Sequence, residues 1–534
     1  MKQGYILLTM IVFLLQSCNS RPIKIADVKR DTSITLSNAF SDLFVDSTTL
    51  EKFITTQKLQ RSAAERIRKF YNNRNYQFAW FTKDGLAEQI GVFLNLHNNY
   101  IRLSRDSMQM DKHFHRQMEL LTDEDTAINT ATEKITETEL RLTEHFFKYA
   151  QYAYAGKMDP EELQWHIRRK KVNVGSLLDS LIANKGKNSE RWEPVNQQYK
   201  LMNKELKHYW DIDKGGGWNA ISQESKKSYK QGDTATSIKQ LKKRLALGGD
   251  YSVSDTSTTF ASELVEGIKQ AQKRHGFKQD GMITTGLITE LNVPVKDRIE
   301  QLLVNMERMR WMPEEPTGNR IIANIPDFKL HVFENAKKVF DMDIVVGTAA
   351  NKTVIFNDML QYIVFSPYWN IPPSIIRQEI LPGMRKNANY LADKNMEQTG
   401  SSNGLPDIRQ KPGGSNSLGQ VKFLFPNNYS IYFHDTPSKS LFENEKRAFS
   451  HGCIRLAEPK KMATYLLRNQ REWTSVKIDA AMNVSKESWV TLKEPMPVLI
   501  TYFTAWVDRD GLLNFRKDVY GNDKKTAQHL FERH

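Results

Sequence analysis

"YSIYFHDTPSKSLFENEKRAFSHGCIRL", residues 429–456, decides how the last third of this chain folds and what it can do. Its opening is short, aromatic and β-branched, which predicts a strand ending on His434. Fifteen residues then separate His434 from Ser450, enough for a loop that returns Ser450, His451, Gly452 and Cys453 alongside that strand. Histidine is the usual group that activates a thiol, so the return sets a candidate base beside a candidate nucleophile. A zinc site is the competing reading of the same residue types. Cys453, His451 and His434 lack paired-ligand spacing, and no fourth ligand is evident, so no metal and no cofactor is expected.

Outward from this stretch the strand signals continue. "RIIANIP", "KLHVFE", "FDMDIVVG", "LQYIVFS" and "PVLITYFTAWVD" are β-branched and aromatic runs divided by Gly, Asn, Asp and Pro turns. They predict a mainly-β C-terminal domain over residues 319–534. Between Pro373 and Phe423 strand signals are few, and an insertion of that size beside a candidate site, residues 374–422, reads either as a lid or as a passive surface excursion.

Upstream the periodicity is helical. "SIKQLKKRLAL", "SELVEGIKQAQKRHGF" and "TTGLITELNVP" place Ile238, Leu241 and Leu245, then Leu264, Ile268 and Ala271, then Leu287 and Leu291 on single faces. Three short helices over residues 216–297 are expected, followed by a connecting helix over 298–318. Residues 37–215 read as a helical scaffold domain, with the Gly-rich "WDIDKGGGWNAI" at its end. The aromatics between Tyr71 and Phe81 fit a core better than a ligand platform. The fold class expected is therefore α+β and multidomain.

The N-terminus, "MKQGYILLTMIVFLLQSCNS", has a basic start and an apolar run too short for a confident spanning helix. It reads as a secretory signal over residues 1–18, followed by a polar tether over 19–36. The segment "LQSC" resembles a lipobox, which implies lipidation of Cys18 and an anchor in an envelope membrane; cleavage with an incidental cysteine is the alternative. If Cys18 is lipidated, Cys453 is the second of only two cysteines and has no disulfide partner within the chain. Lys and Arg outnumber Asp and Glu by 76 to 62, a formal charge of +14, which favours an anionic partner. No Gly-rich phosphate loop is present and nothing supports nucleic-acid binding. In residues 226–274 Lys226, Lys227, Lys230, Lys239, Lys242, Lys243, Arg244, Lys273 and Arg274 suit a carboxylate-bearing polymer, or are simply a solvated face.

The run from His434 through Ser-His-Gly-Cys to Arg455 resembles the signature of the L,D-transpeptidase catalytic domain. "VNMERMRWMP", "FSPYWNIPPSI", "KPGGSNSLGQVKFLFPN" and "YFTAWVDRDGLLNFRKDVYG" resemble further segments of the large periplasmic members, and residues 230–295 resemble a peptidoglycan-binding domain. The resemblance implies 3→3 crosslinking of peptidoglycan stem peptides through a thioester on Cys453, with release of D-Ala. His434 would be the base, oriented by the backbone carbonyl of Asp435, and the amides of Gly452 and Cys453 would form an oxyanion hole. Ser450, His451, Arg455 and Trp369 are candidate substrate-binding residues, with Arg455 either pairing with a substrate carboxylate or bracing its loop. The rivals are a non-catalytic wall-binding lipoprotein, and the same chemistry with water or a protein amine as acceptor.

Overall fold

The computed structural model describes residues 33–531 except 36, 40, 105–113, 115, 117, 119–131, 189–192, 223–227, 253–254 and 313–317. The signal and Cys18 lie outside the described residues. The chain divides into two compact units, one of Met1–Ala87 with Ile128–His145, the other of Glu88–Ala127 with Phe146–His534.

In the first unit, helix Ser47–Thr56 is capped by Asp46, whose carboxylate accepts from the Thr49 amide at 3.0 Å. Helix Arg61–Asn73 follows. Tyr71, Phe78, Trp80 and Phe81 are buried, so the aromatic cluster is core, as its composition suggests. Glu139 is buried with them and accepts from the Tyr71 hydroxyl at 2.8 Å and from the amides of Ala79 and Trp80 at 2.6 and 2.9 Å. Three donors satisfy a carboxyl group that water cannot reach.

The second unit holds the three expected short helices, Thr236–Leu247, Ser262–His275 and Thr285–Leu291. Ile238, Leu241, Leu264, Ile268, Leu287 and Leu291 meet at their centre. Several of the cations counted as available for a polymer are engaged within the fold. Lys242 pairs with Asp255. Arg274 reaches Asp250 at 2.8 Å and the Leu513 carbonyl at 2.6 Å, and Arg244 lies over the Trp218 ring at 3.7 Å. Lys273 pairs with Asp510 at 2.8 Å. Lys230, Lys239 and Lys243 stay exposed, while Lys226 and Lys227 lie outside the described residues.

Helix Val295–Trp311 is buried along most of its length and ties the unit together. Its Glu307 accepts from the amides of Lys157 and Met158 at 2.6 and 3.1 Å. Asn305 binds the Thr504 backbone at 2.9 Å, and Arg308 binds Asp523 at 2.7 Å. Buried charges paired in this way fix one arrangement of the elements around the helix.

The C-terminal domain is built on one large sheet. Its strands are β1 (Trp165–His166), β2 (Arg320–Asn324), β3 (Lys329–Glu334), β4 (Lys337–Gly347), β5 (Ile355–Phe365), β9 (Val421–Leu424), β10 (Phe433–His434), β11 (Ala448–Ser450), β12 (Ile454–Leu456) and β13 (Ser488–Thr501); β6 (Trp369–Asn370), β7 (Met396–Ser402) and β8 (Leu405–Gln410) form a second sheet. The main order is β9-β10-β12-β4-β3-β2-β13-β5-β1, and β5 also pairs with β9, which closes the sheet on itself. Ile363, Phe423, Phe433, Ile454 and Val490 turn inward to the core.

The insertion between Pro373 and Phe423 contains more strand than its sequence suggests. Beta7 and β8 pair antiparallel with each other, and β8 pairs with β6. Polar runs such as "MEQTGSS" carry no apolar alternation because most of β7 is exposed. Ile371, Ile375, Ile376, Ile380 and Ile408 give the insertion a small core of its own.

Candidate active site

Strands β10 and β12 are parallel neighbours, with Phe433 opposite Ile454 and His434 opposite Arg455. Because alternate residues share a face, Phe433 and Ile454 go to the core and His434 and Arg455 to the other side. Cys453 immediately precedes β12, and the Ile454 amide donates to the Tyr432 carbonyl at 3.1 Å. Tyr432 and Cys453 therefore occupy the next position along, diagonal to His434.

The turn that presents Cys453 is held from several sides. Gly452 has φ +121°, a conformation a side chain disfavours. The Thr353 hydroxyl donates to the Gly452 carbonyl at 2.6 Å and accepts from the Gly347 amide at 2.9 Å. Tyr520 donates to the Gly347 carbonyl at 2.7 Å. A Cβ on Gly347 would meet the Asn351 carbonyl at 2.1 Å, so β4 can approach this turn only as glycine. Ser450 donates its hydroxyl to the Cys453 carbonyl at 2.6 Å, and the same oxygen accepts from the Gly452 amide at 3.1 Å. That amide is thus engaged by Ser450, so an oxyanion bound there would compete with the serine oxygen.

His434 is buried, and its Nδ1 lies 2.5 Å from the Asp435 carbonyl oxygen. This contact fixes the ring and leaves the other nitrogen to act as base. The Asp435 carboxylate is occupied elsewhere, accepting from the Gln420 amide at 2.9 Å and from Lys439 at 2.6 Å. Burial pushes the imidazole down to about 3, reinforced by the Arg455 guanidinium and opposed by the carbonyls of Asp435 and Leu418. Burial pushes the Cys453 thiol up to about 11, against hydrogen bonds from Tyr432 and the charge of Arg455. Both shifts favour the neutral thiol and the neutral imidazole over a preformed ion pair.

The thiol donates to the Ser430 carbonyl at 3.5 Å, and the Tyr432 side chain lies near enough to the same sulfur to favour its thiolate against burial. The Tyr432 and His434 rings lie 5.8 Å apart, so the tyrosine stands beside both groups. Sequence reasoning missed Tyr432, although its position two residues before His434 on one strand places the two on one face.

The remaining candidates are dispersed. His451 is exposed, with Nε2 3.3 Å from Glu379 on the insertion, so the insertion and the cysteine turn touch there. Arg455 is partly buried, and its Nε has no hydrogen-bond partner. Trp369 packs against the isoleucine cluster of the insertion. Among the described residues no group of three or more His, Cys, Asp or Glu is placed to hold a metal ion, and no helix is long and apolar enough to cross a membrane.

Comparison with known families gives three matches along the chain. Residues 318–478 match the L,D-transpeptidase catalytic domain, residues 65–206 a scaffold domain, and residues 234–291 a "putative peptidoglycan binding domain". A curated Haemophilus influenzae protein called "Putative L,D-transpeptidase" is 29% identical over 241 residues, which is 42% of this chain and 48% of that protein. The match thus spans about half the length of this curated relative. Similar solved structures include an L,D-transpeptidase from Stackebrandtia nassauensis, with 14% identity, a TM-score of 0.22, and coverage of 52% of this chain and 97% of that one. Another is from Xylanimonas cellulosilytica, with 12% identity, a TM-score of 0.17, and coverage of 52% and 100%.

Proposed function

Because this chain carries an L,D-transpeptidase catalytic domain and a peptidoglycan-binding domain, we propose that it crosslinks peptidoglycan 3→3 through a thioester on Cys453. The observation that carries this reading is the placement of Cys453 and His434 on one face of neighbouring strands, behind a glycine that lets the backbone approach closely.

In the proposed reaction the sulfur of Cys453 attacks the carbonyl joining the diamino acid to the terminal D-Ala of a donor stem. His434 takes the thiol proton as the bond forms, which suits two groups that are both neutral at rest. The carbon–nitrogen bond then breaks, His434 returns the proton to the departing D-Ala amine, and a thioester remains. The amine of an acceptor stem attacks the thioester, loses its proton through His434 to the sulfur, and leaves a new amide with the thiol restored. The Cys453 amide, with the Gly452 amide released from Ser450, would carry the oxyanion, and the Tyr432 hydroxyl would hold the sulfur in line. Arg455 and His451 border the site where substrate carboxylates would lie. We place the enzyme in the periplasm, anchored through lipid on Cys18.

Intact-mass measurement after incubating protein lacking residues 1–18 with a carbapenem tests the assembled site, because a strained carbonyl should trap the thioester. One drug-sized addition is expected, absent in Cys453→Ala; an unmodified wild-type mass would reject the enzyme reading. Mass analysis of muropeptides formed with wild-type protein then identifies the acceptor.

A further inference from the structure

The face of the sheet that carries His434 continues well beyond the chemistry described above. The registers place Arg455 opposite His434, His434 opposite Lys422, Lys422 opposite Val364 and Val364 opposite Trp489, one row across five strands. Their chain neighbours Ile454, Phe433, Phe423, Ile363 and Val490 face the core, so the row lies on the opposite face. At its far end Trp489 is 56% exposed, among the largest apolar surfaces left open to solvent.

This indole is exposed yet fixed in orientation. Its Nε1 donates to Glu487 at 2.9 Å, and its ring meets Tyr362 edge to face at 6.1 Å between centroids. Lys422 reaches to 5.5 Å from the same ring and 3.9 Å from the Glu487 carboxylate. Glu487 in turn accepts from the Tyr368 amide at 2.8 Å. Holding a large side chain in one orientation without burying it costs conformational entropy, which a ligand covering the ring would offset.

We propose that Trp489, Glu487 and Lys422 form a saccharide subsite, where the sugar ring bearing the donor stem peptide stacks on the indole. The chemistry fits a pyranose. Its C–H face matches the ring, its hydroxyls donate to Glu487, and its hydroxyl or acetamido oxygen accepts from Lys422. A phosphate-bearing ligand fits poorly because the carboxylate sits within the same patch.

The spacing agrees with that occupant. Four strand intervals of about 4.8 Å and two residues along the strand put Trp489 about 20 Å from Cys453 measured over the sheet. A donor stem has three residues between the bond attacked and the sugar, spanning about 10 Å if extended. The longer side-chain linkage of its glutamate and the lactyl ether bring the reach to roughly 16–18 Å before the ring itself is counted. A stem running from Cys453 over the side chains that cover His434 and Val364 thus brings its sugar to the exposed Trp489.

This inference rests on the function proposed above, and the experiment separates the two. D-Ala release is measured with a sugar-free tetrapeptide and with the disaccharide tetrapeptide, in wild type, Trp489→Ala and Trp489→Phe. Trp489→Ala should lower kcat/KM about tenfold for the disaccharide donor and leave the sugar-free donor unchanged, with Trp489→Phe between. The unchanged sugar-free donor also controls for folding. Equal losses on both donors, or no loss on either, would overturn the subsite. If wild type processes neither donor, the catalytic reading fails, and direct binding decides the subsite. An N-acetylglucosamine oligomer titrated by NMR into Cys453→Ala protein should then bind, with binding lost on adding Trp489→Ala; absence of binding would reject the subsite.

Discussion

Replacing Tyr432 by Phe removes the hydroxyl that favours the Cys453 thiolate, to which it would donate once the sulfur is charged, while keeping the ring beside His434. A hydrogen bond to a charged group is worth about 1.5–3 kcal/mol, so losing it should raise the thiol by about one to two pH units. The wild-type thiol already stands at about 11 because of burial. The thiolate fraction at pH 7.5 should therefore fall about 10- to 100-fold in the variant. The more basic thiolate is also the better nucleophile, which restores roughly half of that on a logarithmic scale. The net expectation is alkylation about 3- to 10-fold slower than wild type. Iodoacetamide kinetics followed by intact mass measure this in protein lacking residues 1–18, where Cys453 is the only cysteine. In both proteins the logarithm of the rate should climb with pH through 9 without levelling. A wild-type plateau near pH 7 would mean that a thiolate–imidazolium pair exists at rest, and an unchanged rate in Tyr432→Phe would remove the tyrosine from the site.

His434→Ala should slow carbapenem acylation of Cys453 by about 10²- to 10⁴-fold with little change in urea stability, and acylation at the wild-type rate would leave the imidazole without a role. Thr353→Val strands the Gly347 amide and the Gly452 carbonyl, each buried and costing about 1–3 kcal/mol; a urea midpoint equal to wild type would contradict this. Burial holds Glu139 up at about 7 against an ordinary 4.5, so between those values the folded state keeps a proton the unfolded state has lost. The stability of its unit should fall by up to about 3 kcal/mol as pH rises from 4.5 to 7 and then level off, a slope that hydrogen exchange at Trp80 should show and Glu139→Gln should flatten. Cys18→Ala should move the protein from the membrane fraction to the soluble fraction without loss of carbapenem acylation, and retention on the membrane would displace the anchor.

What could be read in advance divides along physical lines. His434 and Cys453 were legible as neighbours because a strand ending on one, a loop of fixed length and a strand starting after the other leave little freedom in where the second can go. The three short helices were legible because Ile238, Leu241, Leu264, Ile268, Leu287 and Leu291 follow a helical period that matches their burial. The strands Met396–Ser402 and Leu405–Gln410 were not, because a mostly exposed polar strand writes no alternation into its residues. Charge misled for a related reason. Lys242 and Arg244 sit on a helix rich in Lys and Arg, and nothing local says that Asp255 and Trp218 come from outside that helix to meet them. Tyr432 and Trp489 show the same limit at the site, since an aromatic residue in a strand reads as core until the register reveals which face it takes. Once Phe433 is known to point inward, Tyr432 and His434 must point the other way. The row from His434 through Lys422 to Trp489 then follows from strand pairing, and that pairing lines up isolated residues across the sheet, with His434 and Val364 buried within the row and Trp489 exposed at its end.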